Sequence, residues 1–269
     1  MDGNVLFAFA LTVFAGLATG IGSLLAFFTK RTNTKFLSIA LGFSAGVMIY
    51  VSLVEIFVKA KDALVVDLGL NNGYWATIAG FFGGMLVIAI IDRLIPAIGN
   101  PHEVKSVEHV NAGPTNDEYA KLKKMGMFTA LAIAIHNFPE GIATFTSALQ
   151  DPTLGIAIAI AVAIHNIPEG IAVAVPIYFA TGNRKQAFKL SFLSGLAEPV
   201  GAIVAYLILM PYLNGVMFGV IFAAVAGIMV FISIDELLPA AREYGEAHLS
   251  VYGFMAGMAV MAVSLVIVA

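Results

Sequence analysis

The 269-residue chain contains no cysteine. That absence excludes disulfides, thiolate metal sites and cysteine nucleophiles, so any metal must be held through nitrogen and oxygen. Charge is also scarce. Only 12% of residues are Asp, Glu, Lys or Arg, about half the share that a water-facing surface carries. With 14 Lys and Arg against 17 Asp and Glu, the formal net charge is -3, which argues against a basic face for nucleic acid. In place of charge the chain has 60% hydrophobic residues, 20 Phe and 26 Gly, with a mean hydropathy of +0.93. This is the composition of a membrane protein, and it argues against soluble enzymes and nucleic-acid binders.

A hydrocarbon core about 30 Å thick is crossed by about 20 apolar helical residues. Eight runs of that length are present, at approximately 4–28, 36–58, 73–95, 124–148, 153–180, 187–210, 214–241 and 250–269. The predicted fold class is an all-α polytopic membrane protein forming one transmembrane domain over 1–269. The first run is too long, and too weakly preceded by charge, for a cleaved signal peptide. One connection is long, about 96–123. It holds His102, Glu103, Glu108, His109, Asp117 and Glu118 among Gly, Pro and Asn, the composition of a mobile aqueous loop.

Basic residues collect on one side. The connections after spans one, three, five and seven carry Lys30, Arg31 and Lys35; Arg93, Lys105, Lys121, Lys123 and Lys124; Arg184, Lys185 and Lys189; and Arg242. The other side has Lys59 and Lys61. Positive charge is retained in the cytoplasm, so the long loop is expected there and both termini outside.

Two repeats run through the spans. AIAIHNFPEGIA from Ala132 recurs as AVAIHNIPEGIA from Ala161, ten of twelve residues identical at an offset of 29. More faintly, AGVMIYVSLVEI from Ala45 matches AGIMVFISIDEL from Ala226 at an offset of 181, and Gly16-Leu17-Ala18 with Gly22 matches Gly195-Leu196-Ala197 with Gly201 at 179. Spans 1–3 and 6–8 thus read as two copies of a three-helix unit around the repeated central pair, spans 4–5. Equivalent spans cross in opposite directions, so the copies are inverted, as in many secondary transporters, with a substrate site expected at the midplane.

A charge near the bilayer centre costs roughly 2.5–3.5 kcal/mol on insertion scales. His136 and Glu140, His165 and Glu169, and Glu198 all fall near the middle of their spans. Within each repeat His and Glu are four apart, hence on one helix face, with Asn137 or Asn166 turned about 100° from the His. Pro139 and Pro168 free the carbonyls of Ile135 and Ile164, which predicts a kink at each. Imidazole, carboxylate and amide oxygen suit divalent ions such as Zn(II), Fe(II), Mn(II), Co(II) or Cd(II) rather than Cu(I). Two His and two Glu complete one four-ligand site, and Asn137, Asn166 and Glu198 leave room for a second ion sharing a carboxylate.

His136-Asn-Phe-Pro-Glu-Gly141 and His165-Asn-Ile-Pro-Glu-Gly170, followed by Gly195-Leu-Ala-Glu-Pro199 and Ser233-Ile-Asp-Glu-Leu-Leu-Pro239, resemble the ZIP (Zrt/Irt-like) divalent-metal transporters, most of all their bacterial ZupT-like branch. The resemblance covers essentially the whole chain. It implies a multi-pass protein of the bacterial cell membrane that takes zinc and other divalent transition metals into the cytoplasm, with His136, Glu140, His165 and Glu169 as primary ligands. Asn137, Asn166 and Glu198 would surround a second ion, although Asn stands at 166 where some members carry Asp. The ions are substrates, and no cofactor is implied.

The remaining charges sort toward the two faces, Glu55 toward the outer one and Asp92, Asp235 and Glu236 toward the cytoplasm, as an entrance and an exit group. Small-residue faces allow a homodimer. Met255, Met258 and Met261 read as packing rather than a copper path, Gly80–Gly84 as close helix contacts rather than a phosphate loop, and His248 as a residue of a short connection. His102 and His109 read as solvated loop residues before a metal sensor. An intramembrane metallohydrolase has little support: His102-Glu103 starts no HExxH motif, and four protein ligands leave no open position for water. A non-transporting metal receptor has no need of inverted copies.

Overall fold

The computed structural model describes residues 3–28, 34–94, 116–210, 214–244 and 247–268. Among them every regular element is helical, with no strand. Span one is Gly3–Phe28. Span two joins Thr34–Val51, a π-helical turn at Ser52–Ile56 and Phe57–Leu68; Gly69, at φ 79°, then turns the chain into span three, Leu70–Leu94. Spans four and five are Asn116–Gln150 and Pro152–Thr181. Span six joins Arg184–Gly195, Ala197–Val204 and a π turn at Ala205–Leu209; span seven joins Gly215–Ile232, a π turn at Ser233–Leu237 and Leu238–Tyr244; span eight is Ala247–Val268. Seven of these are long and apolar enough to cross a membrane, and span four, at 35 residues, is the eighth long helix.

Two boundaries differ from those expected. Span two stays helical to Leu68 rather than ending near 58, because Ala60 and Leu64, one turn apart, are buried against Gly219 of span seven. Bilayer thickness limits the apolar stretch of a helix, not its length. Span four starts at Asn116 rather than 124, so Asp117 and Glu118 are helical; the Ala, Lys, Leu and Met that follow are good helix formers. The rest of the expected loop, with His102, Glu103, Glu108 and His109, lies outside the described residues. The helices of spans four and five continue through Pro139 and Pro168, and α-helical segments are interrupted at Leu196 and the π turns.

An internal two-fold relates the copies in atomic detail. Span one meets span six where a Cβ on Gly16 would strike the Gly195 carbonyl and one on Gly195 the Gly16 carbonyl. Gly22 lies on the carbonyl of Ile167, and its counterpart Gly201 on that of Phe138. Gly170 lies on the Thr19 carbonyl, and Gly141 on that of Glu198. Spans two and eight pack as seven and three do: Gly46 on Phe254 and Gly257 on Phe43 answer to Gly227 on Phe81 and Gly84 on Ala224. The faint repeat is therefore real, down to π turns at Ser52–Ile56 and Ser233–Leu237 that coincide under the same offset of 181.

The copies are interleaved. Spans one and six pack with four and five in one group, while two, three, seven and eight form the other; the groups meet chiefly where span two crosses five and span seven crosses four. Asp67 against Gly215 brings the two-to-three and six-to-seven connections to one face. Ser38 Oγ donates to the Ala241 carbonyl (2.6 Å) at the opposite face.

Because the obstacles at Gly22 and Gly201 are backbone carbonyls, no rotamer change relieves an added methyl. Gly22→Ala and Gly201→Ala are each expected to destabilise the protein by about 1–3 kcal/mol, read as a lower melting temperature in detergent.

Candidate metal centre

Span five brings three polar side chains into the first group of helices. His165, Asn166 and Glu169 are buried near its midpoint. The Nδ1–H of His165 donates to the Ala161 carbonyl one turn back (3.2 Å). That bond turns Nε2 onto Glu140 of span four, 3.1 Å from Oε1 and 3.2 Å from Oε2, with Glu169 Oε1 at 4.0 Å. A ring fixed through one nitrogen and presenting the other to carboxylates is the arrangement of a metal-binding histidine. Glu140, His165 and Glu169 are each at most 2% exposed, so their mutual contact offsets the loss of water.

Each Asn ties its own helix to the neighbouring copy. Asn166 Nδ2 donates to the Ala15 carbonyl of span one (2.8 Å) and to Glu198 Oε1. Its counterpart Asn137 donates to the Ser194 carbonyl of span six (3.3 Å). Ala15 and Ser194 are themselves two-fold mates. Both amide oxygens, Asn137 Oδ1 and Asn166 Oδ1, are buried without a hydrogen-bond partner, which leaves their lone pairs to a ligand.

Glu198 is placed by a break in span six. Leu196, at ψ -8°, ends one helical segment, and Glu198 stands in the first turn of the next. Pro199 cannot donate to the Gly195 carbonyl, and that carbonyl faces Gly16. Ser23 Oγ donates to Ser191 Oγ (2.6 Å) and Ser191 Oγ to the Gly170 carbonyl (3.2 Å), locking spans one, five and six beside the site.

Of the expected ligands, then, Asn137, Glu140, His165, Asn166, Glu169 and Glu198 are buried in the same group of helices. His136 lies one turn before Glu140, and its side chain is outside those described. Among the described residues no three His, Asp or Glu side chains stand as a finished metal cage; the acids and the imidazole contact one another instead. The donor set nevertheless fits a divalent ion: imidazole nitrogen, carboxylates and two unspent amide oxygens.

The outlying acids do not join this cluster. Glu55 is half-buried on the π turn of span two, 3.9 Å from Lys59 Nζ, and borders a cavity of about 330 Å³ shared with Asp151 and Thr153. Glu236 holds the matching place on the other π turn, half-buried, whereas Asp235 is exposed and answers to Val54. Asp92 is half-buried near the end of span three. Met261 is buried but Met255 is 60% exposed, so the methionines line no common path. Gly80 and Gly84 pack against span seven, and His248 is exposed at the start of span eight.

Eight long helices, seven of them apolar enough to cross a membrane, in inverted copies and with polar side chains buried halfway along them, define a multi-pass membrane protein of the transporter class. The ZIP zinc transporter family matches residues 98–265. The chain is 76% identical over 267 residues to the zinc transporter ZupT of Lysinibacillus sphaericus, covering 99% of each chain. It is 71% identical over 266 residues to that of Oceanobacillus iheyensis and 60% over 267 to that of Streptococcus mutans, again with 99% of each chain covered. The chain belongs to the ZIP zinc transporter family, in its ZupT-like branch, and is a transporter rather than an enzyme; the hydrolase alternative falls.

Asn166→Ala removes the donor shared by the Ala15 carbonyl and Glu198. Losing a hydrogen bond to a buried charged group costs about 1.5–3 kcal/mol, so metal-free Asn166→Ala is expected to melt earlier than the parent protein.

Proposed function

We propose that the protein carries zinc into the cytoplasm across the bacterial cell membrane, and takes iron, manganese, cobalt and cadmium by the same route. The observation that carries this reading is the buried contact of His165 with Glu140 and Glu169. Two carboxylates and an imidazole, drawn from two inverted helices, sit where a bare charge is costly, and a dication between them neutralises both acids. His136, Glu140, His165 and Glu169 form the primary site; Asn137, Asn166 and Glu198 surround a second ion.

Glu55 is the outer port, and Asp92, Asp235 and Glu236 the inner one. The coincidence of Glu55 and Glu236 under the two-fold supports this, since inversion carries an outer position to an inner one. Rocking of spans one, four, five and six against the other four alternates access. The chain acts as one domain, with residues 96–123 in the cytoplasm, both ends outside, and a homodimer as its assembly.

Radiolabelled zinc uptake into proteoliposomes tests the reading. Saturable uptake by the wild type and its loss in a folded Glu140→Ala/Glu169→Ala double variant are expected; wild-type liposomes that accumulate no zinc would refute it. Competition by iron, manganese, cobalt and cadmium sets the range. Because the ligands bind metal only when deprotonated, uptake is expected to fall as pH drops from neutral to mildly acidic, and a flat profile contradicts the ligand assignment.

A further inference from the structure

The two-fold gives each site residue of span six a counterpart in span one, and that of Glu198 is Thr19. The backbones at the two positions are set alike, since Gly170 packs on the Thr19 carbonyl as Gly141 packs on that of Glu198. The side chains differ in charge and length. Thr19 is fully buried, yet its hydroxyl has no hydrogen-bond partner. Three other buried threonines return the hydroxyl to the carbonyl one turn back, Thr12 to Ala8 (3.0 Å), Thr77 to Gly73 (2.7 Å) and Thr146 to Ile142 (2.6 Å), whereas Thr144 shares with Thr19 a buried hydroxyl without a partner. The corresponding acceptor for Thr19 is the Ala15 carbonyl, which already receives Asn166 Nδ2.

The neighbouring half of the site carries a second unspent oxygen. Asn137 uses its amide nitrogen on the Ser194 carbonyl, leaving Oδ1 buried without a partner. Thr19 Oγ1 lies against the next residue, Gly195, 2.9 Å from where a Cβ would stand. A hydroxyl beside Gly195 and an amide whose nitrogen bonds Ser194 thus stand at adjacent residues of span six, both with oxygen lone pairs to give. Leaving one buried polar atom unsatisfied is costly, and two together call for a ligand.

We propose that Thr19 is a ligand of the transported ion, supplying with Asn137 Oδ1 a neutral oxygen half to the site, opposite the charged half formed by Asn166 and Glu198. The inference rests on the metal-transport reading above and goes beyond it by adding a residue from span one. It also gives the inverted site an intrinsic asymmetry. An ion on the Thr19 side meets hard but uncharged donors and is held less tightly than one on the Glu198 side.

The test uses the full-length protein in detergent, with zinc affinity measured by competition against a chromogenic chelator. Thr19→Val preserves shape and removes the hydroxyl. Zinc binding is expected to weaken roughly ten- to hundred-fold, the range seen when a supporting group of a metal site is lost, while the metal-free melting temperature stays level or rises because an unsatisfied hydroxyl is gone. Thr19→Ser is expected to restore wild-type affinity. Wild-type affinity in Thr19→Val, with a lowered melting temperature, overturns the proposal in favour of packing alone. Thr19→Cys introduces the sole thiol in a chain with no cysteine, and cadmium favours thiolate. A cadmium–thiolate ultraviolet band is expected on loading, and its absence from a folded, cadmium-saturated variant overturns direct ligation. If Glu140→Ala/Glu169→Ala abolishes zinc binding while the Thr19 variants bind as the wild type does, only this inference fails; if the wild type binds no zinc, both fail.

Discussion

The contact of span one with span six at Gly16 and Gly195 governs the rest of the structure. Two helices whose backbones touch carbonyl to Cα cannot carry side chains at the crossing, and the space so removed is what draws spans four and five inward. Membrane helices gain little from burying apolar surface against one another, because lipid is equally apolar; close packing of small residues takes its place. Here that packing follows a two-fold, so each approach made by one copy is made again by the other. The approaches of Gly22, Gly141, Gly170 and Gly201 hold the ligand-bearing faces of spans four and five beside spans one and six.

Close approach also solves the problem of buried polar groups. The amides of Asn137 and Asn166 reach carbonyls of the neighbouring copy only because the backbones are near, and those bonds spend the nitrogen of each amide while sparing its oxygen. His165 does the same with its ring, spending Nδ1 on Ala161 and presenting Nε2 to Glu140. In each case a local hydrogen bond fixes orientation and leaves an electron pair for a cation. Symmetry then makes one departure conspicuous. Glu198 and Thr19 occupy equivalent places with unlike chemistry, one a carboxylate bonded to Asn166 and the other a hydroxyl without a partner.

The division of the chain into two four-helix groups is also a consequence of interleaving. Each three-helix copy contributes its first span to the group holding the site and its other two to the flanking group. All the buried candidate ligands therefore belong to one group of helices, and the flanking group supplies none of them. The π turns stand in the flanking group, at Ser52–Ile56 and Ser233–Leu237, and carry Glu55 and Glu236 at matching places of the two copies.

Composition, span number, the inverted copies and the His-Asn-x-Pro-Glu-Gly pair were legible in the sequence because each rests on a local or periodic property: hydropathy over a window, identity at a fixed offset, a four-residue spacing on one helix face. What the residue string could not contain was which helices would touch. The end of span two at Leu68 depends on Ala60 and Leu64 finding span seven, and the helical start of span four outruns any hydropathy window. Thr19 carries no signal of its own, one threonine in an apolar run, until the repeat sets Gly16-Leu17-Ala18-Thr19 beside Gly195-Leu196-Ala197-Glu198 and the fold shows its hydroxyl buried without a partner. The sequence by itself determined the types of the candidate ligands and their spacing within a helix, since these are properties of a single segment. Only the tertiary structure decided which oxygens are spent on backbone and which remain for an ion, because that depends on carbonyls supplied by helices far away in the chain.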